Sequence, residues 1–127
     1  MPRAQAPQDL LPLTPPVFHI LLALSAGERH GYAIMQDVAA DTDGSLQFGP
    51  GTLYGCLKRM LATGLVEESD ERPDPDHDDE RRRYYSITDF GTCTLRAEVE
   101  RLARAVSVAR SKRLLSGKSA APAETRR

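Results

Sequence analysis

GPGTLYGCLKRMLATGLV, residues 49–66, decides how this chain reads. Gly49-Pro50 opens a helix, because proline is tolerated at the first helical position, where its missing N–H would have no intrahelical acceptor. Leu53, Leu57, Met60 and Leu61 then recur at i, i+4, i+7 and i+8, so they share one face, and Gly64 ends the helix. At about 100° per residue, Gly51, Thr52, Gly55, Lys58 and Arg59 fall on the opposite arc. That arc is small at its start and cationic further on. Tyr54 lies beside the apolar arc, and Cys56 is expected outward or at the helix flank.

A helix of this kind can lie close to a nucleic-acid groove. Small residues permit close approach, the N-terminal N–H groups attract phosphate, and Lys58 or Arg59 can reach a phosphate or a guanine edge. The alternative is a surface helix with two solvated cations. The strands after the helix tip the balance. Leu65 and Val66 open a short strand, and Arg83 to Ile87 form its partner, with Tyr84, Tyr85 and Ile87 supplying β propensity.

Between these strands, residues 67–80 hold nine acids and a single base, Arg72. Removing them from the count turns a net charge of -1 into sixteen bases against nine acids. The rest of the chain is therefore basic, as a partner of nucleic acid should be. Arg81, Arg82 and Arg83 stand where the second strand returns. Side chains alternate along a strand, so Arg81 and Arg83 share a face and Arg82 opposes it. His77 and the loop carboxylates have ligand chemistry, but two prolines and no fixed scaffold make a solvated loop the reading, with no metal expected.

Upstream, Thr14 can cap a helix with Pro15 at its first position, and Val17, Phe18, Ile20, Leu21, Leu22 and Leu24 make that helix apolar on most sides. Gly27 stops it. A second helix is expected from His30 or Gly31 to Ala40, with Tyr32, Met35 and Val38 inward and Gln36, Asp37 and Asp41 outward. Asp43-Gly44 marks a turn. Downstream, Thr88 caps a long last helix reaching about Leu115. Its apolar residues Leu95, Val99, Leu102, Val106 and Ala109 recur at spacings of 4, 3, 4 and 3, the seam of a coiled coil.

The expected fold is mostly α with a small β-hairpin: a winged helix-turn-helix, with its third helix in the major groove, and a long C-terminal dimerisation helix. The expected organisation is a flexible tail over 1–12, a winged-helix domain over 13–88, the dimerisation helix over 89–115 and a second tail over 116–127. Dimerisation is assigned to Leu95, Val99, Leu102 and Val106. At 127 residues there is no room for separate cofactor and substrate domains.

No glycine-rich phosphate loop or nucleophile motif appears, and His19, His30 and His77 lie in different elements, so an enzyme and a cofactor are not expected. Cys56 and Cys93 form neither a metal pair nor a disulfide framework. The start lacks a signal peptide's apolar stretch, and Val17 to Leu24 is too short to span a bilayer. A cytoplasmic protein with no membrane partner is expected.

HGYAIM at 30–35, GPGTLYGCLKRMLATGLV at 49–66 and RRRYYSITDFG at 81–91 together resemble the PadR family of bacterial transcriptional regulators. The resemblance covers about residues 13–95, and the single final helix is similar to the family's short subfamily. It implies a homodimeric repressor of a double-stranded DNA operator, released by a small-molecule effector or another signal. By motif it places Pro50, Gly51, Thr52, Tyr54, Lys58 and Arg59 at groove or phosphate, and Arg81, Arg82 and Arg83 in the wing. Two departures stand out: Gly49, where a serine cap is common, and the acidic loop. Two other readings remain open: a winged-helix module that binds protein through the loop and last helix, and a metal or redox sensor using His77, the loop acids or Cys56.

Overall fold

The computed structural model describes residues 5–69, 72–74 and 77–116. Three helices come first. α1 (Pro15–Ser25) starts at Thr14, whose hydroxyl accepts the Val17 N–H, and Pro15 and Pro16 occupy its first turn. Ile20, Leu21, Ala23 and Leu24 are all buried, so α1 is the central helix of the core. α2 (Gly31–Asp41) is capped by His30, whose Nδ1 accepts the Ala33 N–H at 3.2 Å. It ends where the Thr42 hydroxyl donates to Val38 O at 2.8 Å and accepts from Leu46 N at 3.1 Å.

α3 (Pro50–Ala62) has Gly49 as its N-cap and no side-chain cap hydrogen bond. It stops at Gly64, whose φ of 82° suits a residue without a Cβ. Leu53, Leu57 and Met60 are buried against the other helices, as their spacing requires. Cys56 differs from expectation: it is 3% exposed and part of the core. At about 100° per residue it lies about 60° to one side of Leu53, so the buried arc is wider than the leucines alone suggest.

The expected hairpin is a three-stranded antiparallel sheet. β1 (Arg29–His30), β2 (Val66–Glu68) and β5 (Tyr84–Ile87) lie in the order β1-β5-β2. The pairs are Arg29 with Tyr85 and His30 with Tyr84 on one side of β5, and Val66 with Ile87, Glu67 with Ser86 and Glu68 with Tyr85 on the other. β1 goes beyond the sequence reading, because a two-residue strand carries too little periodicity to show as a pattern. Within the acidic segment, β3 (Arg72–Asp74) and β4 (His77–Arg82) form a second antiparallel pair.

α4 (Asp89–Ser111) starts at Thr88, which accepts from Gly91 N at 2.9 Å and donates to Gly64 O at 2.6 Å. That hydroxyl ties the start of α4 to the end of α3. Gly91 is needed for the same junction, since a Cβ there would run into Leu65 O and lie 2.9 Å from Ile87 Cγ1. The helix ends at Ser111 rather than Leu115, because Arg113 turns to a φ of 66° and Leu114 N bonds back to Ala109 O. Residues 7–10, expected within a tail, form a short 3-10 helix, and Leu10 packs against the core.

Candidate nucleic-acid interface

α3 divides cleanly between core and solvent. Pro50, Gly51, Thr52, Tyr54, Lys58 and Arg59 are exposed, whereas Leu53, Cys56, Leu57 and Met60 are at most 3% exposed. The fold itself does not ask for glycine at Gly51, where an added Cβ would meet nothing within 4 Å. Arg59 curls back along the helix, its Nη2 donating to Cys56 Sγ at 3.5 Å.

Tyr54 bridges α3 to α2. It is 46% exposed, and its hydroxyl end lies against Gly31 so closely that a Cβ on Gly31 would sit 2.8 Å from Tyr54 Cζ. Glycine at 31 therefore makes room for the Tyr54 ring, and a larger residue there would push the ring aside. Tyr32, expected inward, is instead 50% exposed, and Ile34 takes the buried position. The α2 core stripe is Gly31, Ile34 and Val38, a three- and four-residue spacing that Tyr32 does not fit.

The wing arginines have different neighbours. Arg82 Cζ lies 5.8 Å from the centroid of the Tyr32 ring. Arg83, between β4 and β5, has its Nη1 3.4 Å from Glu68 Oε2. The backbone of Arg81 belongs to β4, and its side chain lies outside the described residues, as do the side chains of His77 and of the loop acids from Asp70 to Glu80. Tyr85 is buried at the sheet centre, and its pKa is raised by burial first and by the nearby Glu68 charge second, so it is a neutral core group.

The α4 seam is split. Leu95 is 6% exposed and belongs to the chain's own core, whereas Val99 and Val106 are 42% and 41% exposed and Leu102 is half-buried. Leu95 joins the core, where the first turns of α4 are pinned to the loop after α3 by Thr88 and Gly91. Glu98 is the residue that sequence reasoning passes over. It is 2% exposed, accepts Leu13 N–H at 2.9 Å, and takes Arg101 Nε at 2.6 Å and Nη2 at 3.1 Å. The Arg101 hydrogen bond lowers its pKa against the opposing effect of burial. An acid one residue before Val99 and three before Arg101 is the signal that could have found it.

Among the described residues, no group of three or more His, Cys, Asp or Glu could hold a metal ion, and no helix is long and apolar enough to cross a membrane.

Residues 20–97 match the model of the Transcriptional regulator PadR-like family. A PadR-like transcriptional regulator from Bacillus cereus strain ATCC 14579 has a similar structure, with a TM-score of 0.64 and 22% identity, over 87% of this chain and 96% of that one. A PadR family transcription regulator from hypervirulent Clostridium difficile R20291 is similar with a TM-score of 0.64 and 21% identity, over 77% and 97%. At these identities the likeness is one of fold. In sequence, the chain is 35% identical over 85 residues to an uncharacterised 37.1 kDa protein in transposon TN4556 of Streptomyces fradiae. That match covers 67% of this chain and 22% of the relative, so the chain spans about a fifth of that protein's length.

Proposed function

Because this chain belongs to the PadR-like family of transcriptional regulators, we propose that it binds a double-stranded DNA operator as a homodimer and represses transcription until a signal releases it. The role is one of binding rather than catalysis, and it is carried out in the cytoplasm, where DNA is accessible and the free thiols of Cys56 and Cys93 stay reduced. The observation that carries the reading is the bare face of α3. It presents Gly51 and Thr52 at the helix start and Lys58 and Arg59 further on, and its first glycine answers no demand of the chain's own packing.

On this reading the N–H groups of the first turn, with the side chains of Thr52 and Tyr54, hold phosphates. Pro50 and Gly51 keep the approach narrow, while Lys58 and Arg59 reach along the groove. The wing adds backbone contacts from its arginine base. Two α3 helices, one from each protomer, would sit about 34 Å apart on a pseudo-palindrome. Val99, Leu102 and Val106 supply the dimer contact, while Leu95 supports it from within each chain.

Support for a small-molecule signal comes from an apolar groove of about 200 Å³ beside the end of α3, lined by Leu10, Leu13, Val17, Met60 and Leu65 among others. A ligand there would touch the N-terminal segment and the groove helix together. The test of the whole reading is a gel-shift series in salt. Wild-type affinity should fall steeply as salt rises, and a protein that passes through a DNA column at low salt would favour a protein-binding adaptor instead.

A further inference from the structure

The ladder between β1 and β5 ends at the pair His30–Tyr84, whose rings meet edge to face at 5.4 Å between centroids. Two residues after His30 stands Tyr32 and two before Tyr84 stands Arg82, the next positions on the same face of that antiparallel register. α2 has begun by then, yet the two side chains still meet, with Arg82 Cζ 5.8 Å from the Tyr32 ring centroid. Tyr32 is a large ring left 50% exposed at the start of a helix. The core does not claim it.

We propose that Tyr32 is the positioning residue of the wing, its ring holding the Arg82 guanidinium where it meets a DNA phosphate beside α3. This rests on the DNA-binding reading above. The geometry is that of a cation–π contact, which operates within about 6 Å of a ring centroid. A guanidinium has five N–H donors, and a contact of its charge with a ring still leaves donors for a phosphate, so the ring contact and phosphate binding are compatible. Holding the side chain in advance removes rotamer freedom that would otherwise be lost on binding.

Placement supports the same role. Tyr54 of α3 lies on Gly31, the residue before Tyr32, so Tyr54, Gly31, Tyr32 and Arg82 form a continuous strip from the groove helix to the wing. Arg83 has Glu68 beside it. Of the two wing arginines whose side chains are described, Arg82 is the one whose contact, through Tyr32, leads toward α3.

The test is binding to a mixed-sequence DNA duplex across a salt series, read by fluorescence anisotropy. Tyr32→Ala and Tyr32→Leu should each weaken binding about two- to five-fold, while Tyr32→Phe, which keeps the ring, should match wild type. Arg82→Ala should weaken binding further and lower the slope of log affinity against log salt by about one. In an Arg82→Ala background, Tyr32→Ala should add nothing. An equal loss from Tyr32→Ala in both backgrounds, or a loss from Tyr32→Phe matching that from Tyr32→Ala, would overturn the positioning role while leaving DNA binding intact. A wild-type protein with no salt-dependent binding would remove the DNA reading, and this inference with it.

Discussion

α3 and α4 are both amphipathic, and both are anchored at one end by the loop that joins α3 to the sheet. α3 buries its apolar face in its own chain and leaves glycine, threonine, lysine and arginine outside. α4 does this only over its first turns, through Gly91, Thr94, Leu95 and Glu98, and then carries Val99, Val106 and Val108 into solvent at 41% to 53% exposure. The chemistry left uncovered differs accordingly. A small, cationic face suits a phosphate backbone, whereas an apolar stripe running past the end of the core suits another protein surface. Thr88 joins the start of α4 to the loop that follows α3 through its hydrogen bond to Gly64 O.

The sharpest way to break this contrast is to cut each apolar stripe. Leu57→Ala, in the covered stripe of α3, should destabilise the fold by about 2–5 kcal/mol in urea unfolding, by an amount independent of protein concentration. Leu102→Glu, in the uncovered part of α4, should leave each chain folded and raise the dimer dissociation constant about a hundred-fold, about 2.7 kcal/mol, as read by light scattering. A dimer that persists would mean the α4 stripe serves some other surface.

Glu98 marks the boundary between the two parts of α4, and its removal should matter next. Glu98→Ala should cost about 1.5–3 kcal/mol, since it strips the Leu13 N–H of a charged acceptor. The pH dependence comes from a lowered folded-state pKa. The contribution of Glu98 is fully present above the unfolded value of about 4.3 and is lost as pH falls through the lower folded value. Unfolding curves of wild type and Glu98→Gln should therefore converge in that acid window and separate above it.

The smallest effect is expected on the outer face of α3. Lys58→Ala with Arg59→Ala should reduce operator affinity about ten-fold near physiological salt, with the salt slope lowered by about two. Stability should change little, because Lys58 is exposed and Arg59 makes its described contact to Cys56 within the same helix. Unchanged affinity would show that this face does not meet DNA.

Much of the fold is legible in the sequence because it is local. The caps Thr14, His30, Gly49 and Thr88, the stop at Gly64 and the stripe Leu53, Leu57 and Met60 depend on neighbours within a turn or two, and the structure has each of them in place. The departures are of a different kind. An aromatic residue such as Tyr32 is expected inward, but burial on α2 goes to Ile34. Spacing leaves Cys56 outward or at the helix flank, yet α3 packs on an arc wide enough to bury it. Leu95 keeps the heptad spacing with Val99, but a heptad cannot say where one chain's core ends and the next chain's surface begins.

By itself the sequence determined the order of helices and strands, the face α3 turns inward and the arginines that close the wing, because periodicity and capping act over a few residues. Only the tertiary structure decided that His30, the start of a helix, also ends a strand, that Tyr54 lies against Gly31, that Tyr32 lies beneath Arg82, and that Glu98 fastens the N-terminal segment to α4. Each of these joins residues far apart in the chain. Their meeting depends on how helices and sheet pack, which no local pattern encodes.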